Sequence, residues 1–561
     1  MHGHYVTEDQ GRTVSVFPGS ERLRYLIPFS QPHETIDYLR EIGQRFDNAV
    51  VVFGDDGEKF GTWPDTKKHV YEDGWLHNMF QAISENKDWL KTSTLSDALD
   101  ETQPRGKVYL PEASYREMTE WALPTNSQQQ YEDIQQEFAG DDRWHRLKRY
   151  VRGGYWRNFK TKYPETDEMY TRMMAVSRRL ELAEQDGLTD EQLAPARQEL
   201  YRGQCNCSYW HGAFGGVYLP HLRNAVYKHL IEADNLLDRV VEKPHVRVEA
   251  TATDLDFDGR QEIRLENDRL IALLKPSRGG QLYEFDVRSI CHNLLATMAR
   301  RPEAYHRTVL RGAQDEHGVA SIHDRVVFKQ EGLQERLQYD GYPRKSLIDH
   351  FYPIDVTREA VERGEAPELG NFVWQPYEAR LRRNPERLQV MMKSSGQVEG
   401  NPVTITKGVT LEAGSSTLEV AYLLEGLPMD RDLHFGVEFN FAGLPAGAAD
   451  RYYFNEQGES MGQLGERLDV KGCQSLGLAD EWLGIRVQWR ANCLSNLWAF
   501  PIETVSQSEA GYELVHQSVV VQPHWLVRGN EKGQWSVQMT VDVDTTMAES
   551  RNEENAVGAT S

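Results

Sequence analysis

The chain has 561 residues, 39% of them apolar, with 44 glycines, a composition that fits globular domains and excludes wholesale disorder. Lys+Arg 63 against Asp+Glu 86 leave a formal net charge of −23, which argues against nucleic-acid or anionic-membrane partners and suits a neutral substrate. No apolar run reaches membrane-spanning length, and the N-terminal MHGHYVTEDQGR lacks the basic and apolar regions of a signal peptide, so the expected location is cytoplasmic. The cysteines (Cys205, Cys207, Cys291, Cys473, Cys493) are too few for a disulfide framework, and their spacing is not that of a zinc site.

The first hundred residues alternate strand and helix signals. Val14–Phe17 and Leu23–Ile27 read as short strands, each closed by a proline. Ile36, Leu39, Ile42 and Phe46 recur at helical spacing. Ala49–Phe53 is an unbroken apolar run, as expected of a strand buried on both faces of a parallel sheet. Trp75, Met79, Phe80 and Ile83 resume the helical period. This rhythm predicts an α/β layer or barrel over 1–104.

Residues 105–243 read as a helical domain. Met169, Met173, Val176 and Leu180 form one stripe, and Leu219, Leu222, Val226, Leu230 and Leu237 another. Gln185–Pro195 reads as the connection between them. After Lys243-Pro244 the period becomes two. Val403/Ile405, Phe435/Val437/Phe439/Phe441, Ile485/Val487/Trp489 and Trp535 to Val543 alternate, separated by turn clusters such as Glu412–Ser416. A large antiparallel β-sandwich is expected over 244–545, with a disordered tail over 546–561.

Two segments carry chemistry. In Phe53-Gly-Asp55-Asp56-Gly-Glu58-Lys-Phe-Gly-Thr-Trp63-Pro64, three acids follow the apolar run, where α/β barrels hold their active sites. Trp63 supplies an apolar wall, and desolvation against such a wall suits a general acid. The alternative is an acidic turn that caps the next helix. In Gln204-Cys-Asn-Cys-Ser-Tyr-Trp210-His211-Gly-Ala-Phe-Gly-Gly-Val-Tyr-Leu219, aromatic rings and polar groups could stack on a sugar and bond its hydroxyls; a packed aromatic loop around a structural histidine explains it equally well.

Together these segments resemble the family 57 glycoside hydrolases, in the α-glucan-acting 4-α-glucanotransferase branch. Leu23–Phe29, Arg152-Gly153-Gly154-Tyr155-Trp156 and Ser506–Gly511 fit the same branch. The resemblance runs from the first residues to about 545, and it implies that 1–104 is the C-terminal part of a (β/α) barrel and that 105–243 completes its active-site wall. It implies Asp56 as general acid/base, with Glu58, Trp63, Trp210 and His211 at the sugar. It implies a retaining reaction on α-1,4-glucans or maltooligosaccharides through two carboxylates about 5–5.5 Å apart, without a required cofactor. Transfer to a sugar hydroxyl and hydrolysis by water share that mechanism. The C-terminal sandwich resembles the galactose-mutarotase-like domain of the branch, a carbohydrate-binding fold. Glu509 and His516 lie in a family-like stretch, which a packed strand pair explains equally well.

The chain departs from the family in one respect. The family's first three regions, which include the nucleophilic glutamate, have no match here, and Met1–Asp9 resembles a stretch just after the third region. The expectation is a catalytically incompetent chain: a truncated gene product, a mis-assigned start, or half of a split enzyme. An open barrel edge favours association with a complementing N-terminal polypeptide or with further copies. A non-catalytic carbohydrate-binding protein is the alternative.

Asp254, Asp256, Asp258 and Glu262 alternate as in oxygen-ligand calcium loops, although the twelfth position is Leu265 and not an EF-hand glutamate. The alternative is an Asp-Gly hairpin with solvated aspartates.

Overall fold

The computed structural model describes residues 2–63, 65–110, 116–148, 150–211, 215–312, 328–508 and 511–559. The chain forms two compact units, Met1–Ala113 and Ser114–Ser561.

The first unit opens with a hairpin, Tyr5–Asp9 against Arg12–Val16. Gln10 and Gly11 both take positive φ (48° and 82°), the two-residue turn whose twist matches the flanking strands. Two parallel bridges follow, Gly19 with Val52 and Val6 with Lys107. The βα rhythm therefore survives in direction, but Ala49–Phe53 is not a ladder strand: among the described residues its pairing is that one bridge at Val52. Leu23–Ile27 is not a strand either. Glu21–Leu26 is a helix, with Ser20 Oγ accepting the Leu23 N–H at 3.4 Å. The cap overrides the local strand pattern because Leu23 and Ile27, four residues apart, then face the same small core as Trp75 and Met79. Helices Pro32–Arg45 and Trp75–Glu85 form as their periodicity indicates. Tyr25, Phe29, Tyr71, Phe80 and Trp89 remain exposed.

In the second unit, helix Pro164–Gln185 buries Met169, Val176 and Leu180, and helix Pro220–Val240 buries Val226, Leu230 and Leu237. The connection is shorter than expected. Helix Asp190–Gly203 begins behind a Thr189–Gln192 capping box and carries Pro195 inside it.

The secondary structure changes at 244 as expected, but no unit boundary falls there. Apolar and charged contacts both cross it, and Ala296 and Met298 pack in the core of the helices. Arg172, on the first helix, binds Asp234 on the second at 2.6 Å, and Glu284 (2.7 Å) and Asp286 (3.3 Å) on strand Gln281–Val287. Arg264 joins Asp234 (3.1 Å) to Glu266 (2.6 Å). These strands belong to a five-stranded antiparallel sheet, 248–253, 262–267, 270–275, 281–287 and 292–293.

A twelve-stranded antiparallel sheet follows. Its strand Ile485–Ser508 pairs through 486–491 with Gln534–Asp544 and through 496–508 with Gly511–Val527. One long strand thus serves both layers of the sandwich, and Trp489, Phe435, Val521 and Val541 pack in one core. The tail corrects the expectation of disorder: Thr546–Ala559 is a helix. Ala548 is buried against Gly484, Thr546 caps onto Asp544 (Oγ1 to Oδ1, 2.6 Å), and Glu549 pairs with Arg269 at 3.1 Å.

Candidate active site

The acidic loop of the first unit sorts its carboxylates. The side chain of Asp55 is 1% exposed; Arg24 Nε donates to it at 2.9 Å and Lys59 Nζ at 2.5 Å. Burial alone would raise its pKa, but the bonds from Lys59, the Asp56 amide and Arg24 prevail and hold it below the usual value. Asp55 is thus a fixed counter-ion. Asp56 stands at the N-cap of the 3-10 turn Gly57–Phe60 with extended backbone (φ −71°, ψ 127°) and makes no side-chain cap hydrogen bond. It is 53% exposed, with Arg24 Nη2 at 3.7 Å. Glu58 is also exposed. Lys59 is buried, 5.5 Å from the centroids of both Phe29 and Trp63, and these two rings stack 6.1 Å apart. Trp63 is partly buried. Pro64 lies outside the described residues. The loop therefore presents two open carboxylates, Asp56 and Glu58, on either side of Gly57, next to the fixed Asp55–Lys59 ion pair.

In the second unit Trp210 stacks on Trp121, centroids 5.6 Å apart and planes at 16°. Its carbonyl accepts the Val217 N–H at 2.8 Å. Gly216 (φ 49°) is required there, because a Cβ would lie 2.0 Å from that oxygen. His211 is buried among the rings of Tyr163, Tyr218 and Tyr305. Burial pushes its pKa down to about 4, against the opposing effect of Glu303. As a neutral ring it donates Nδ1–H to the Gly215 carbonyl at 2.9 Å, which leaves Nε2 as an acceptor. Gly212–Phe214 lie outside the described residues.

Sequence reasoning missed what holds this loop. Trp156 Nε1 donates to the Tyr209 carbonyl at 3.1 Å. Gly154 N donates to the Thr119 carbonyl at 2.7 Å, and a Cβ at Gly153 would lie 2.2 Å from that same oxygen. The Gly153-Gly154 pair was the available signal. Glu303 was missed altogether. It is buried, accepts from Tyr218 (2.7 Å) and Tyr163 (3.1 Å), and faces Lys162 at 3.5 Å. Nothing in its sequence neighbourhood marks it. Glu509 lies outside the described residues, and His516 sits opposite Glu503 in the sheet.

The aspartate loop brings Asp254, Asp256 and Glu262 together, with one oxygen of each mutually within 4.8 Å. Asp258 is not in that group; its amide donates to Asp254 at 3.1 Å. Glu262 Oε1 is buried without a partner, whereas Oε2 accepts the Leu255 N–H at 2.9 Å. Burial raises the pKa of Glu262 to about 7. Lys275 is ion-paired with Asp256. The donor set fits a hard cation through Glu262 and Asp254, with Lys275 already answering part of the charge.

Residues 2–111 match the model of glycosyl hydrolase family 57. Residues 154–237 match that of the alpha-amylase/4-alpha-glucanotransferase middle domain, and 254–539 that of the C-terminal domain. The chain is 36% identical over 521 residues to a 4-alpha-glucanotransferase of Thermococcus litoralis, covering 92% of this chain and 72% of the relative. It is 33% identical over 523 residues to alpha-amylase 1 of Dictyoglomus thermophilum, covering 92% and 73%. The crystal structure of the Thermococcus litoralis 4-alpha-glucanotransferase superposes with a TM-score of 0.74 at 33% identity, over 96% of this chain and 75% of that one. No described helix is long and apolar enough to cross a membrane. With all three of its regions matched in order and the fold shared, the chain belongs to glycosyl hydrolase family 57.

Proposed function

We propose that this chain carries the general acid/base half of a retaining α-1,4-glucan transferase or hydrolase, with Asp56 as the proton donor and acceptor. The observation that carries the reading is the sorting of the loop: Asp55 is held as an anion by Lys59 and Arg24, and Asp56 beside it is open. Asp56 protonates the leaving glycosidic oxygen, and as the resulting carboxylate it removes a proton from the acceptor hydroxyl. Glu58 and Trp63 border the sugar. Lys59 keeps Asp55 from competing for the proton.

The nucleophile that traps the glycosyl group is a second carboxylate, for which the family resemblance gives no position among these residues. The test is turnover of maltoheptaose by the purified chain. No transfer or hydrolysis is expected from these residues alone. Turnover by them, lost in Asp56→Asn, would overturn the reading that the nucleophilic carboxylate is not among them.

We also propose a structural calcium ion on Asp254, Asp256 and Glu262, supported by the orphaned Glu262 Oε1. Calorimetric titration of the full chain with calcium is expected to release heat that disappears in Glu262→Gln. No heat up to millimolar calcium refutes the site.

A further inference from the structure

Cys205 and Cys207 of the second unit differ from the other cysteines. Both are exposed, whereas Cys291, Cys473 and Cys493 are partly buried. Burial raises the pKa of each of those three thiols, and Glu232 beside Cys291 pushes in the same direction. The thiolate is the reactive form, so reaction with a small reagent from solution falls to the exposed pair.

The backbone brings the pair to bridging distance. Asn206, between them, opens the 3-10 turn Asn206–Tyr209. One helical residue sets the Cα atoms on either side of it about 5.3 Å apart, inside the roughly 4.4–6.8 Å that disulfides span. On a helix, side chains two residues apart do not face each other. Cys205 escapes that rule because it is not helical (φ −56°, ψ 121°). The rotation about its Cα–C bond carries its Cβ toward the side of Cys207.

The turn is held at both ends by bonds that use neither thiol. Ahead of it, the amides of Gln204 and Cys205 donate to the carbonyls of Tyr201 and Arg202, both at 3.2 Å. Behind it, Ser208 Oγ donates to the Leu222 carbonyl (3.0 Å) and Tyr209 Oη to the Gly203 carbonyl (2.7 Å). Cys207 Sγ donates to Asn206 Oδ1 at 3.5 Å, a weak surface contact that ring closure gives up at little cost. With the ends fixed, the second thiol reacts intramolecularly.

We infer that Cys205 and Cys207 are a redox modification site: they form a reversible disulfide that stiffens the turn immediately ahead of Trp210. The oxidant is a small-molecule disulfide. One cysteine thiolate attacks a sulfur of the reagent, which forms a mixed disulfide and expels one small thiol. The other cysteine thiolate then attacks the protein sulfur of that mixed disulfide, the Cys205–Cys207 bond forms, and the second small thiol leaves. The protein loses two electrons and its two thiol protons, and the reduced reagent carries them away as two thiols. A ring across one residue is strained and exposed, the kind of disulfide that small thiols reopen.

The experiment is incubation of the full chain with oxidised glutathione, then alkylation of the remaining thiols and mass mapping. The wild-type peptide that holds Cys205 and Cys207 is expected to be lighter by two hydrogens, with Cys291, Cys473 and Cys493 alkylated. Dithiothreitol is expected to restore it. Cys205→Ser and Cys207→Ser are each expected to stop at a glutathione adduct on the remaining cysteine. Thermal midpoints check that both variants fold; should one not fold, the wild-type map decides alone. Amide exchange over 206–210 is expected to slow about threefold in the oxidised chain. Two glutathione adducts on the wild-type peptide, no oxidation of it, or a bond from either residue to another cysteine overturns the site. Exchange unchanged by oxidation overturns the stiffening of the turn.

Discussion

Asp234→Ala is expected to destabilise the second unit by about 3–5 kcal/mol, read as a lower denaturant midpoint at unchanged slope. Asp234 is wholly buried and receives Arg172 at 2.6 Å and Arg264 at 3.1 Å, with Arg179 as a third partner. Burial alone would raise its pKa; the three guanidinium groups reverse that and hold it well below the carboxylate range. Removing it leaves Arg172, Arg179 and Arg264 with their other carboxylates but one buried anion short, so the loss is the uncompensated positive charge in a low dielectric rather than the net worth of one pair. Glu249 is the comparison. Its pair with Lys243 at 2.8 Å is 41% exposed on the carboxylate side, and Glu249→Gln is expected to change stability by less than about 1 kcal/mol. Equal small effects from both substitutions would show that the network contributes nothing as a unit.

The network also explains what could be read from the sequence and what could not. The helix stripes and the period-two strands were legible because each is set by local spacing: Met169/Val176/Leu180 and Phe435/Val437/Phe439 show their buried face within one element. That the helical segment and the sheets form one unit was not legible. Arg172 and Asp286 are 114 residues apart, and neither carries a local sign of its partner. The same limit applies at the candidate sites. Asp56 and Trp210 stood out because they sit in dense, unusual segments. Lys59 was findable in principle, because its four-residue spacing from Asp55 across a turn allows the ion pair that separates the two adjacent aspartates. Glu303, Tyr163 and Tyr218 converge from three distant segments on one buried carboxylate, which no single window of the sequence displays. The run Ala49–Phe53 failed for the converse reason. A parallel strand needs neighbours on both edges, and with a single bridge to Gly19 its apolar pattern is not converted into a ladder.

A second large effect is expected on acidification. His524 stacks on Trp498 with centroids 3.8 Å apart, and its Nδ1 lies 2.7 Å from His434 Nε2, so the two rings share one hydrogen. Burial, reinforced by His434 and Lys471, lowers the pKa of His524 to about 3. His516 and His211 are lowered by burial to about 4. For a histidine the unfolded value is about 6.5. Each of these rings therefore takes up a proton on unfolding at any pH between its folded value and about 6.5. Their contribution is complete above about pH 6.5 and is lost as pH falls toward 4. Between pH 6 and 4.5 most carboxylates are still ionised in the unfolded chain, so the histidines dominate the slope, each adding about 1.4 kcal/mol per pH unit. Denaturant midpoints measured across that window are expected to fall steeply in the wild type. In His524→Gln, which cannot titrate, the slope is expected to be shallower by about 1.4 kcal/mol per pH unit, whatever the substitution costs at neutral pH. An unchanged slope would mean that His524 is already protonated in the folded protein. The added hydrogen would sit on His524 Nε2, which is buried without a hydrogen-bond partner among the described residues, and the charge would face Lys471 and His434, which all oppose it.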